Sequence, residues 1–289
     1  MSNLDTPAAV KSKPNLLSSF YRQPKIFIKL PSEGKFYPQA ALDSSATGEY
    51  AVYAMTAKDE LMLKTPDALL NGQATVELIR SCIPAIKDPW KMPTIDVDAA
   101  LMAIRVATHG EKMEVSASCP SCNHVNEYEF NIVEYLNRLQ SFNFETKIDC
   151  DPLVINIRPY TYQEGTKAAL KSIEQQRIFS VVSNDDMPDA EKIERFGASF
   201  LRLTELTVDV VCGCISSIDT PDGTVDDAAQ IKEFIDNTTS EIFNKINDRI
   251  VDMKNKLDLK EQHVSCGECK HEYDISITMD QSNFFAVRS

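Results

Sequence analysis

The chain has 289 residues, 43% hydrophobic and 25% charged, with a formal charge of −13. That is enough apolar material for one or two cores, and it excludes a disordered polyelectrolyte. The negative sign argues against a nucleic-acid binder, which needs a basic surface to neutralise phosphates, and no run approaches the ~18 apolar residues of a membrane span.

Residues 1–24 read as an extended arm punctuated by Pro7, Pro14 and Pro24. Its start, Met1 to Lys13, lacks the apolar run of a signal peptide, which points to a soluble cytoplasmic protein. Lys11, Lys13, Arg22, Lys25, Lys29 and Lys35 make the first forty residues far more basic than the rest. Solvated lysines on a flexible arm and a docking segment for an acidic partner both fit that bias.

Residues 25–112 read as an N-terminal α+β region. Lys25 to Leu30 (KIFIKL) alternates as a strand does, Leu30 to Pro38 (LPSEGKFYP) has turn punctuation, and a second strand is expected at Tyr50 to Met55. From Thr65, the residues Leu69, Leu70, Val76, Leu78, Ile79 and Ile83 recur at helical spacing, with Asn71-Gly72 parting two short helices. KDPWKMP forms a loop around Trp90, the single tryptophan. Asp96 is placed to cap a helix whose Ala99, Leu101, Met102, Ile104 and Val106 face the core, ending near His109-Gly110.

Residues 132–261 read as a mostly helical insertion. It opens with a helix from Ile132 to Leu139 and a hairpin with arms Thr146 to Cys150 and Leu153 to Arg158. Helical spacing then covers Tyr162 to Val182, Asp189 to Ile215 and Asp226 to Leu259, with TPDGT (Thr220 to Thr224) as a turn. In the last helix Ile231, Ile235, Ile242, Ile246, Ile250, Met253 and Leu257 form one stripe, suited to core packing or to docking a neighbouring subunit.

The insertion separates two cysteine pairs, Cys119–Cys122 and Cys266–Cys269. The first sits in VSASCPSCNHVNEYEFNI and the second in HVSCGECKHEYDISI. Both have a strand-like approach with Val and Ser, a CxxC tip, a His two residues on, and an aromatic strand leaving. A CxxC turn presents two thiolates to one ion, and two such tips complete a tetrahedral zinc site. Residues 113–131 and 262–280 together therefore read as a zinc ribbon, with one structural Zn²⁺ held by Cys119, Cys122, Cys266 and Cys269. The 143 residues between the pairs are no obstacle. Closing such a loop costs roughly 4–5 kcal/mol, against roughly 10–16 kcal/mol for structural zinc. Four thiolates leave no open coordination position, so the site is a staple. His124 and His271 fall just beyond complete pairs, where shielding the metal suits them better than ligation.

The remaining cysteines, Cys82, Cys150, Cys212 and Cys214, lie among apolar neighbours and read as buried small hydrophobes. There is no HExxH, GxSxG, strand-associated GxGxxG or P-loop. The acidic pairs Asp185-Asp186 and Asp226-Asp227 suit a solvated loop and a helix start. No catalytic residue is assigned.

The ordered run LPSEGKFYP, YAVYAMTAKDELMLKTPDALLNG, IPAIKDP, DVDAALMAIRVATHG and CPSC resembles the baseplate hub and hub assembly proteins of contractile-tailed phages of the T-even type. The likeness covers roughly Ile26 to Tyr135, and the second CxxC agrees with zinc-bearing members. The resemblance implies a non-enzymatic structural or assembly role. Its partners would be other baseplate or hub proteins, with possible oligomers in the baseplate. It implies a location in the host cytoplasm during assembly, followed either by residence in the virion tail baseplate or by departure once assembly is done. The alternative is a zinc-ribbon nucleic-acid-binding or regulatory protein. The expected fold class is α+β: a zinc-ribbon hairpin pair with an N-terminal α/β region and a large helical insertion between the knuckles.

Overall fold

The computed structural model describes residues 15–65, 71–140, 146–182, 188–255 and 262–275. Expectations resting on 1–14, Leu69, Leu70, Asp185, Asp186, Leu257 and 276–280 lie outside these. The fold is α+β, with eight α-helices, ten strands and two hydrophobic cores among the described residues. No described helix is long and apolar enough to cross a membrane.

The first core begins with a hairpin of β1 (Pro24–Lys29) and β2 (Glu49–Tyr53), paired antiparallel with Ile28 opposite Tyr50 and Ile26 opposite Val52. Alternation puts Ile28, Tyr50 and Val52 on the inner face and leaves Lys25, Phe27 and Lys29 outside. Three helices follow: α1 (Ala57–Leu63), α2 (Gln73–Cys82) and α3 (Thr94–His109). The first is too short for periodicity to reveal, but Thr56 and Asp59 form a reciprocal capping box at its start. Asp59 also accepts from Ser81 Oγ at 3.1 Å and faces Arg22 at 3.7 Å.

Helix α3 is the centre of this core. Every residue from Ala99 to Ala107 is buried and all but Arg105 are apolar, as suits an interior helix. It starts two residues before the expected cap, after Pro93, and Asp96 is instead its buried third residue. There the carboxylate accepts from Ser32 N at 2.8 Å, Ser32 Oγ at 2.5 Å and Tyr37 Oη at 2.9 Å. LPSEGKFYP is thus a closed loop tied to α3, with Glu33, Gly34 and Phe36 at positive φ turning the chain tightly enough to reach Asp96. Burial raises the Asp96 carboxyl to about 6, against the hydrogen bonds from Ser32 and Tyr37.

Beyond Gly110 come β3 (Lys112–Ser118), β4 (Val125–Asn131) and α4 (Ile132–Gln140), whose Ile132, Tyr135, Leu136 and Leu139 complete the first core. The second core is built on a four-stranded antiparallel sheet in the order β5 (Lys147–Cys150), β6 (Leu153–Ile157), β7 (Ile215–Thr220), β8 (Gly223–Val225). The first hairpin is the expected one. The second departs from the sequence pattern: helical spacing runs through Ile215, whereas the helix stops at Gly213 and TPDGT turns a β-hairpin.

The long helices α5 (Tyr162–Val182) and α6 (Asp189–Gly213) pack on each other, and α7 (Ala228–Asn237) and α8 (Ser240–Asn255) cover the sheet. The isoleucine stripe is therefore broken between α7 and α8. Of its two suggested uses, core packing is the one observed, since Ile231, Ile235, Ile246, Ile250 and Met253 are buried in the second core. The loop around Trp90 joins the two cores. Trp90 stacks on Tyr162 at 5.6 Å, Tyr162 N donates to Met92 O, and Thr94 N donates to Tyr160 O.

Candidate metal centre

The cysteine pairs sit at the tips of two hairpins, β3–β4 and the pair β9 (Gln262–Ser265) and β10 (Glu272–Ile275). The tips have the same local geometry. In the first, Cys119 N donates to His124 O and Asn123 N to Cys119 O, both at 2.9 Å; in the second, Cys266 N donates to His271 O at 2.9 Å and Lys270 N to Cys266 O at 3.1 Å. Asn123 and Lys270 occupy equivalent positions at φ 58° and 61°, where the chain doubles back. The two histidines thus serve each tip through their backbone carbonyls.

The structure brings all four sulfurs together, every pair within 4.8 Å. Cys119 Sγ lies 3.6 Å from Cys269 Sγ, and Cys122 Sγ 3.7 Å from Cys266 Sγ. These spacings are too long for disulfides, whose sulfurs lie about 2.05 Å apart. They match the edge of a ZnS₄ tetrahedron, about 3.8 Å for Zn–S bonds of about 2.3 Å. The first cysteine of each pair is buried and the second exposed, so the two halves repeat in burial as well.

The electrostatics also favour a cation. The Cys269 N–H, with help from the Asn126 amide, holds the Cys266 thiol down at about 6. At Cys122 a hydrogen bond from the His124 N–H pulls the same way, but crowding by Cys269, Cys266 and Cys119 overrides it and pushes the thiol up to about 12. Four thiolates cannot share this space without a positive charge among them. The donor set, the spacing and the crowding all fit a tetrahedral thiophilic ion.

No strand pairing joins the hairpins among the described residues, which form separate two-stranded sheets. Side chains on one face of β4 join them instead. Buried Asn126 accepts from Gly267 N at 2.8 Å and donates Nδ2 toward Cys266 Sγ at 3.5 Å. Tyr128 Oη donates to Ser265 O at 3.1 Å and lies 3.1 Å from Tyr273 Oη, their rings edge to face. A Cβ on Gly267 would stand 3.3 Å from Asn126 Oδ1, which explains a glycine where the first tip has Pro120. Sequence reasoning missed Asn126 and Tyr128. The available signal was a polar residue two positions before a tyrosine on an alternating strand leaving a knuckle.

The other cysteines are buried or half-buried and distant from this cluster. Burial pushes the Cys214 thiol up to about 12 and Cys82 to about 11, so neither is a nucleophile near neutral pH.

Residues 23–286 match the family described as T4 bacteriophage base plate protein. No curated protein and no solved structure matches the chain.

Proposed function

The chain belongs to the T4 bacteriophage base plate protein family, and from that premise we propose that it is a non-enzymatic structural or assembly component of the baseplate's central hub, its hairpins clasped by one zinc ion. Family membership implies contacts with other baseplate proteins in the virion tail; that these contacts form in the host cytoplasm during assembly is part of the same proposal. The four-sulfur cluster carries the zinc part of the reading. Cys119, Cys122, Cys266 and Cys269 would hold the ion, and a closed thiolate set supplies a crosslink with no position for an activated water. The clasp fixes the hairpin β9–β10 to the hairpin β3–β4, whose Met113, Val115 and Phe130 pack on the first core.

Metal analysis of protein purified without chelator is expected to give about one zinc per chain, and Cys266→Ser less than about a tenth of that. Wild-type protein without zinc would reject the clasp. Co-expression with individual hub and wedge proteins is expected to yield a stable complex with at least one of them. Failure with every one would reject the hub assignment.

A further inference from the structure

Helices α5 and α6 pack on each other, yet near the end of α6 they leave a cleft of about 320 Å³. Packed interiors hold few gaps larger than a water molecule, and small residues account for this one. Ala168 lines it from α5 and Gly213 from α6, where a Cβ would meet nothing within 4 Å. The apolar floor is made by Tyr160, Ala168, Leu206 and Val210, each half-buried.

Four charged side chains line the same cleft: Glu164, Lys167, Lys171 and Asp209. The two acids are already engaged by cations from outside it. Glu164 is gripped by both terminal nitrogens of Arg158 at 2.8 and 3.0 Å and accepts from Thr161 N at 2.8 Å. Asp209 accepts from Lys232 Nζ, on α7, at 2.9 Å. Lys167 and Lys171 are exposed and one turn apart on the same side of α5. Neither makes an ion pair with a described residue. The cleft therefore presents two uncompensated positive charges in a chain whose formal charge is −13.

An apolar floor beneath two unpaired ammonium groups selects a ligand with both characters. An apolar side chain gains by leaving water for the floor, and a carboxylate beside it meets the lysines. Small-molecule pockets run from about 300 to about 1,000 Å³ and enclose most of their ligand. This cleft is at the lower end of that range and is open along its lysine rim, so it suits one or two side chains of a longer segment lying across the helices. We infer that the cleft receives a segment of another baseplate protein in which an apolar side chain stands next to an acidic one. This rests on the structural role proposed above and names a surface through which it acts. A nucleic-acid phosphate would meet the lysines but gain nothing from the floor, and the net charge of the chain repels it. A second copy would bring two bodies of charge −13 together.

The test uses the full chain with its metal, titrated by biolayer interferometry against each purified hub and wedge protein of the same phage. Lys167→Glu/Lys171→Glu reverses the rim charge, Lys167→Arg/Lys171→Arg retains it, and Ala168→Phe fills the floor with a ring. Lys58→Glu/Lys64→Glu, at exposed positions in and just after α1, controls for total charge. Unchanged zinc content and melting temperature establish that each variant is folded, and the exposed rim lysines carry the test should Ala168→Phe not fold. At least one hub or wedge protein is expected to bind wild type, the charge-retaining variant and the control within about threefold of one another. It should bind the charge-reversed variant and Ala168→Phe at least about tenfold more weakly. Raising NaCl from about 50 to about 300 mM should weaken wild-type binding at least about threefold. Wild-type affinity in both the charge-reversed variant and Ala168→Phe overturns the cleft and leaves the baseplate role intact. Wild-type affinity in folded Ala168→Phe alone also overturns it, by showing a charged surface with no seat for a side chain. Absence of wild-type binding to any of the proteins overturns both. Concentration-dependent dimers abolished by Ala168→Phe would reassign the cleft to a second copy, and a salt-sensitive shift of a single-stranded oligonucleotide lost on charge reversal would reassign it to nucleic acid. Either result overturns the inference.

Discussion

Around Ile104 the core is almost wholly apolar, with Ala100, Leu101, Ala103 and Ala107 all buried beside it and Arg105 the charged exception. Between Cys119 and Cys266 the neighbours are sulfur, amide and phenol groups from two hairpins that share no strand pairing. The first region is held by burial, which is non-directional and spread over many residues. The second is held by a few directional contacts and, on the reading proposed above, a metal. Burial tolerates loss of any one contact at a graded cost, while a four-ligand site fails as a unit when a ligand goes. The two regions should therefore respond differently to the same perturbation.

The largest graded effect is expected in the first core. Ile104→Ala should cost about 2–5 kcal/mol of global stability by denaturant titration, with zinc stoichiometry of the folded protein unchanged. A loss under about 1 kcal/mol, or loss of zinc along with it, would erase the distinction.

Acid should act on the two regions with opposite sign. The Asp96 carboxyl is raised to about 6 by burial, above its unfolded value of about 3.9. Its contribution is fully present below about pH 4 and is lost as pH rises through about 6, by up to about 3 kcal/mol. Thiolate ligation runs the other way, because protons compete with the metal as pH falls. The difference in stability between wild type and Asp96→Asn should therefore shift toward wild type on acidification from about pH 7 to about pH 4.5. A pH-independent difference would mean that Asp96 does not titrate in this window.

A smaller effect is expected from Asn126→Ala. Removing the amide that orients Cys266 and Gly267 should weaken zinc binding about 10–100-fold in competition with a chromophoric chelator. The denaturation midpoint of the first core should stay put. Unchanged affinity would show that the amide network only fills space.

The cysteine cluster is legible in the sequence because the coordination geometry of a metal site would fix ligand spacing within each tip, and the flanking residues repeat. The face that joins the tips was less so, since Asn126 and Tyr128 act across the two hairpins and no local pattern records that. The β7 strand was hidden by its own irregularity. A register shift opposite Asn156 and Ile157 leaves buried Ile215 and Ile218 three residues apart, a spacing that imitates a helix. LPSEGKFYP was legible as a turn, but its purpose depends on Asp96, 64 residues from Ser32, which local reasoning took for a cap. Long-range polar pairs of this kind leave no periodicity to read.

The central claim is that one ion, rather than burial, holds the two hairpins together. Hydrogen exchange of the full chain before and after chelation tests it directly. The account predicts about one zinc per chain beforehand. On its removal, protection should be lost in 112–131 and 262–275 and retained in α3. Protection that falls equally in α3, or that stays unchanged in the hairpins once the metal is gone, would contradict it.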